Sequence, residues 1–224
     1  MFAKQILKIM KKQLSIFVVC GLLLSTIQVC NAQKGDRRMQ RYMDIMDTAK
    51  DASTWKNLAS EYENITVKEP KNWLSAYYAA FTNAIYAMRV DDVPSKNIFL
   101  ARALTYAIKA DSLKPNESEI YVMRGMILGM QISIDPELGA SIGPEAMEYM
   151  KKARELNSEN PRVWLELGQM TMYTPEQYGG GKKSAEKQLK TAQDKYKTFK
   201  NTNPLWPHWG QDRLKVLLEE VKTK

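Results

Sequence analysis

Apolar and small residues along this chain recur at spacings of three and four rather than in alternation, over stretches rich in alanine, leucine and methionine. That is the period of a helix face and not of a strand. Ala103, Ala107 and Ala110 are separated by four and three positions; Ala146, Met150 and Ala153 repeat that interval, and Ala185, Leu189 and Ala192 repeat it again. A second set of positions keeps step with the first. Tyr121 and Gly125 follow Ala110 by 11 and 15 residues, and Trp164 and Gly168 follow Ala153 by the same 11 and 15. The pattern predicts an all-α chain of helical hairpins. Each carries an aromatic–small pair in its first helix (helix A) and a stripe of small residues in its second (helix B).

In the first clear hairpin helix A is predicted over Trp73 to Met88 and helix B over Ile98 to Ala110, with Pro115 closing the junction. The second starts at Tyr121 and Gly125 and returns through Ala146, Met150 and Ala153. The third opens on Trp164, Leu167 and Gly168 and returns through Ala185, Leu189 and Ala192. Loops fall inside the hairpins at Val90 to Lys96, Ser133 to Gly143 and Tyr173 to Gly181. Asp135-Pro136 and Gly143-Pro144 each have the form of a helix start with proline first, and Thr174-Pro175-Glu176-Gln177 that of a capping box. Trp206 and Gly210 are again four apart, so Pro204 to Val221 is predicted as one further helix. Its residues Arg213, Lys215, Glu219, Glu220 and Lys222 give the polar outer face that a closing helix needs. Asp36 to Ala49 and Ser53 to Val67 form a degenerate opening pair. The predicted organisation is an export signal (1–32), a degenerate helical pair (33–69), three repeats with long intra-hairpin loops (70–202) and a C-terminal capping helix (203–224).

The Trp/Tyr–Gly pair, the small residues of helix B and the junction proline together resemble the tetratricopeptide repeat (TPR), from about Pro70 to the C-terminus. The units are longer than the usual repeat of about 34 residues, and Tyr77 stands where the glycine normally stands. The resemblance implies an α-α superhelix of about three repeats plus terminal capping helices, in which small residues let helix A and helix B approach to about 8–10 Å between axes. It also implies a concave face on the helix A layer, formed by Tyr78, Phe81 and Thr82, by Met126, Gly129 and Met130, and by Gln169, Met172 and Tyr173. That face is apolar and aromatic, suited to an apolar helix, an extended peptide or a greasy small ligand unless the terminal helices bury it. Leu74, Val122 and Leu165 stand where some relatives of this fold clamp a terminal carboxylate with Lys, Asn or Arg, so no such clamp is expected.

The N-terminus changes the picture of location. Lys4, Lys8, Lys11 and Lys12 precede the apolar stretch Leu14 to Val29, and Cys30-Asn31-Ala32 ends on a small residue. This is the architecture of a cleavable export signal, with the cut predicted after Ala32. The apolar stretch is shorter than the roughly 20 residues of a membrane span, so no stable span is expected after cleavage. Valine before both Cys20 and Cys30 argues against a lipoprotein. The predicted mature chain is 224 residues less the first 32, and it keeps neither cysteine. It therefore has no disulfide, thiolate metal site or cysteine nucleophile. Loss of four lysines and no acid lowers the formal charge from +8 to +4. Lys151, Lys152 and Arg154 alternate with Glu145, Glu148 and Glu155, unlike the one-sided basic face of a nucleic-acid binder.

Few residues suggest chemistry. Gly179-Gly180-Gly181 before Lys182 is a candidate anion-binding turn, although three glycines also make a permissive turn; Glu176 occupies the position where a phosphate loop needs its first glycine. His208, the one histidine of the chain, sits between Pro207 and Trp209 and is expected to pack in the cap. Acid pairs such as Asp91 with Asp92 diverge rather than converge on a substrate. Asp47-Thr48-Ala49 and Asp111-Ser112-Leu113 resemble short O-glycosylation acceptors of exported Bacteroidota proteins. No catalytic residue, metal site or cofactor is predicted. The expected function is a non-catalytic exported scaffold, periplasmic or secreted, that binds an unknown protein or peptide, with self-association through an uncovered helix face left open. The alternative is a small-ligand binder resembling the helical-repeat T component of TRAP uptake systems.

Overall fold

The structure is a computed structural model that describes residues 36–223. The predicted export signal lies outside them. Every regular element among the described residues is helical. Among the described residues, 42–223 form one compact unit and those before Tyr42 belong to another.

Helix α1 covers 36–46. It is followed by α2 (Ala52–Lys68), α3 (Trp73–Ala87), α4 (Val93–Leu113), α5 (Ser118–Ile134), α6 (Gly139–Leu156), α7 (Pro161–Tyr173), α8 (Lys182–Thr198) and α9 (Gln211–Glu220). Four helix starts carry a side-chain cap, which satisfies amide groups that the helix itself leaves unpaired. Asp51 caps α2, Asn72 caps α3, Asp92 caps α4 and Asn160 caps α7. Successive helices pack antiparallel as α3/α4, α5/α6 and α7/α8, while α3, α5 and α7 also pack on one another as an inner layer.

The small-residue logic holds in atomic detail. A Cβ on Gly125 would come within 2.3 Å of the Met150 methyl, and one on Gly168 within 2.6 Å of Leu189 Cδ2. Ala103, Ala107, Ala110, Ala146, Ala153, Ala185 and Ala192 are all buried on the facing helices. Tyr77, the departure from glycine, is fully buried; its hydroxyl lies 3.5 Å from Glu119 Oε2 and accepts from Trp209 Nε1 at 2.8 Å.

Four boundaries differ from those predicted. Helix B of the first hairpin starts at Val93 rather than Ile98, because Asp92 accepts the Ser95 N–H and Pro94 fits the first turn. The second starts at Gly139, so Pro144 lies inside α6 instead of opening it. Ala140, Ser141 and Pro144 are at least partly exposed, and solvent can satisfy the carbonyl that the proline leaves unpaired. Thr174 makes no capping box: its hydroxyl donates back to Met170 O, and Glu176–Tyr178 is a single 3-10 turn. The final helix is only α9, preceded by an irregular segment, 199–210, which we term the strap.

A buried ion pair ties the inner layer together. Arg162 of α7 donates from Nε to Glu119 of α5 at 2.8 and 3.0 Å, with both side chains 1% exposed. Burial works against the Arg162 charge, but the adjacent Glu119 outweighs it and holds the guanidinium pKa above its ordinary value.

Candidate functional site

Pro204 and Pro207 keep the strap out of a helix, and two asparagine turns shape it, Asn201 accepting from Asn203 N and Asn203 from Leu205 N. Its apolar residues therefore need cover from elsewhere, and the inner face of the helix A layer provides it. Leu205 is 6% exposed, and its carbonyl accepts from the Tyr78 hydroxyl at 3.0 Å. Trp206 meets Trp73 edge-on with centroids 5.5 Å apart, and Lys114 Nζ lies over both rings. Trp209 stacks on Phe81 at 5.1 Å, and its carbonyl accepts from Tyr196 Oη. Gly210 ends the strap with φ of 109°, and a Cβ there would lie 2.1 Å from the Tyr196 hydroxyl. Glycine is required on both counts.

The strap does not close completely over the first hairpin. A cleft of about 80 Å³ remains, lined by Met46 and Asp47 at the end of α1, Trp55 of α2, Tyr78 and Phe81 of α3, and His208 and Trp209 of the strap. Its walls are aromatic: Trp55 meets Phe81 edge-on at 6.1 Å, and Arg89 lies 4.8 Å over the Trp55 ring. Rings continue behind it, Tyr78 stacking on Tyr62 at 5.1 Å and Tyr62 meeting Tyr42. Burial pushes the phenol pKa values of Tyr62, Tyr77 and Tyr78 well above the ordinary range, so all three are protonated. His208 is exposed, with its Nε2 2.8 Å from Asp47 Oδ1. It does not pack in the cap as expected, and Asp47 of the Asp47-Thr48-Ala49 motif is its partner.

The residues proposed for the concave face have separate fates. Tyr78 and Phe81 lie beneath the strap. Met126 is buried, and Met130 is half-buried. Met172 belongs to a core of α7, α8 and α9 together with Leu165, Leu189 and Leu214. Gln169 accepts from Arg213 of α9, and Tyr173, largely exposed, accepts from Arg213 and donates to Glu220. The C-terminal residues thus cover much of this face. At the glycine turn, the Gly179, Gly180 and Gly181 N–H groups donate to Glu176 O, Pro175 O and Thr171 O, and Lys182 Nζ donates to Thr223. A Cβ on Gly180 would overlap Thr174 O at 2.0 Å. These three amides are all bonded within the turn, and Lys182 Nζ to Thr223.

Sequence reasoning missed Asp47, Trp55 and Trp209 and misjudged His208. One signal was available: Pro207 inside a supposed helix rules that helix out, and the aromatics around it then demand burial elsewhere.

No protein-family model matches the chain, and no curated protein matches it. Among solved structures, it is similar to a thermophilic TPR protein of Thermus thermophilus, at a TM-score of 0.53 and 14% identity, over 88% of this chain and 94% of that one. The chain is a TPR-like helical-repeat protein. It is also similar to the HusA haemophore from Porphyromonas gingivalis, at a TM-score of 0.74 and 29% identity, over 83% of this chain and 92% of that one.

Proposed function

We propose that this protein is a non-catalytic, exported binding protein that carries haem, with one edge of the macrocycle seated in the cleft between the strap and the first hairpin. The observation that carries this reading is the likeness to a haemophore over most of both chains. The character of the cleft supports it. Flat aromatic walls from Trp55, Phe81 and Trp209 suit a planar conjugated ligand, and the adjacent imidazole and the Arg89 guanidinium offer an iron ligand and a positive charge for propionates. The closed volume of about 80 Å³ is well below the roughly 300 Å³ or more of a site that encloses a drug-sized ligand. Haem would therefore enter edge-first, with outward displacement of the strap. The strap has no regular secondary structure to break. The TRAP-like small-ligand alternative is the one that this reading refines. The open peptide groove loses support, because Tyr78 and Phe81 are covered by the protein's own C-terminal segment.

The test is titration of residues 33–224 with hemin, followed by Soret absorbance and tryptophan quenching. Saturable 1:1 binding that weakens at least tenfold in Trp209→Ala and Phe81→Ala is expected. Non-saturating binding, or saturable binding indifferent to both substitutions, would refute the placement. Amino-terminal sequencing of the native protein tests the export reading, which expects a mature terminus at Gln33.

A further inference from the structure

We infer that the outer face of α8 is a docking surface for anionic phospholipid head groups, on which the protein rests peripherally. This role is independent of the cleft and of what the cleft holds.

Helix B of the third hairpin carries six lysines, no arginine and two acids, a formal charge of +4 on one helix. Its counterpart in the second hairpin, α6, sets three basic residues against three acidic ones. Mixed charge of that kind serves solubility, which does not account for the one-sided charge of α8. The lysines are also sorted by position. Ala185, Leu189 and Ala192 are buried in the core that α8 forms with α7 and α9. On the opposite side Lys183, Lys187, Lys190 and Lys197 fall within an arc of about 80°, along about 20 Å of helix. All four are exposed, Lys190 and Lys197 by 65% each. Glu186 and Asp194 pair with Lys190 and Lys197, while Lys183 and Lys187 form no ion pair among the described residues. The two remaining lysines serve the fold, Lys182 bonding to Thr223 and Lys195 to Glu159.

The chemistry of the face selects its occupant. A lysine ammonium is a compact, strongly hydrated point charge, without the planar fork by which arginine grips one carboxylate or phosphate. Lysine is depleted at protein–protein interfaces, and this face has no aromatic ring on which a nucleic-acid base would stack. A row of point charges suits instead a fluid array of lipid phosphates, where each lysine within a Debye length of the surface adds to the attraction. Because the apolar side of α8 is committed to the core, the helix does not insert, and attachment is electrostatic. Tyr178, 75% exposed in the turn that leads into α8, adds a ring with one apolar and one wet end beside the start of the lysine row.

The test is co-sedimentation of residues 33–224 with vesicles of phosphatidylcholine, alone or mixed with phosphatidylglycerol, at low and at high salt. Binding to the mixed vesicles alone, lost at high salt, is expected. Lys183→Gln/Lys187→Gln/Lys190→Gln/Lys197→Gln should weaken it about tenfold or more. Lys56→Gln/Lys68→Gln/Lys71→Gln/Lys151→Gln removes the same charge from exposed positions outside α8 and should stay within about threefold of wild type. Both variants are first checked for an unchanged melting temperature. No binding to the mixed vesicles, binding that persists at high salt, or equal losses in the two variants would overturn the inference. Retention on immobilised poly-L-glutamate without vesicle binding would overturn it too, and would assign the face to an acidic protein.

Discussion

Gly168→Ala tests the steric basis of the repeats with the smallest possible change, one methyl group. The added Cβ would lie 2.6 Å from Leu189 Cδ2, 2.7 Å from Leu189 Cγ and 3.3 Å from the Leu189 amide nitrogen. Leu189 is fully buried among Leu165, Met172, Ala185 and Ala192, so its branched end has nowhere to turn and α7 and α8 must separate. Overpacking of this kind costs about 1–3 kcal/mol. The better helix propensity of alanine offsets about 0.8–1 kcal/mol, leaving a net loss of up to about 2 kcal/mol. For a chain of this length each kcal/mol moves the melting temperature by about 2–4 °C, so a fall of up to about 8 °C is expected. Gly125→Ala is the internal control. Its nearest neighbour is the Met150 terminal methyl at 2.3 Å, followed by Ala146 O at 3.2 Å. A flexible thioether can swing aside, so this variant should stay within about 0.5 kcal/mol of wild type once alanine's propensity is counted. Calorimetry of both variants at one pH, with urea unfolding to confirm an unchanged m-value, gives the comparison. A Gly168→Ala protein that melts at or above wild type, or equal losses in the two variants, would refute the argument.

Removing one partner of the buried Arg162–Glu119 pair strands a charge, so Arg162→Met should cost about 3–5 kcal/mol in urea unfolding, and Arg162→Met/Glu119→Leu should recover most of it. Burial raises the Glu166 carboxyl from its ordinary 4.5 to about 7, against a smaller opposing effect of Arg213. The folded state therefore holds a proton that the unfolded state releases, and stability should fall by about 3 kcal/mol as pH rises from 4.5 through 7. Glu166→Gln should flatten that slope in pH-dependent unfolding and stabilise the protein at pH 8. Trp209→Ala removes the stacking on Phe81 and the bond to Tyr77; a loss of about 3 kcal/mol and faster proteolytic cleavage within 199–210 are expected, read by timed digestion and mass spectrometry.

Much of the fold is legible in the residues themselves, because a helix crossing is a local event. The aromatic–glycine pairs at Tyr121/Gly125 and Trp164/Gly168, the alanine stripes of helix B and the junction proline Pro115 state where backbones meet and where helices end, each within a few turns of chain. They determine an all-α, TPR-like architecture, and the inner helix layer follows from it. What covers that layer is a different kind of fact. Tyr78 meets Leu205 across 127 positions, Trp209 meets Tyr77 across 132, and His208 meets Asp47 across 161. No periodicity records such pairs, since each is set by where the intervening hairpins deliver the chain. The strap prolines forbade a helix and its aromatics required shelter, but only the assembled inner face of α3 could supply that shelter and leave the remaining cleft beside a histidine.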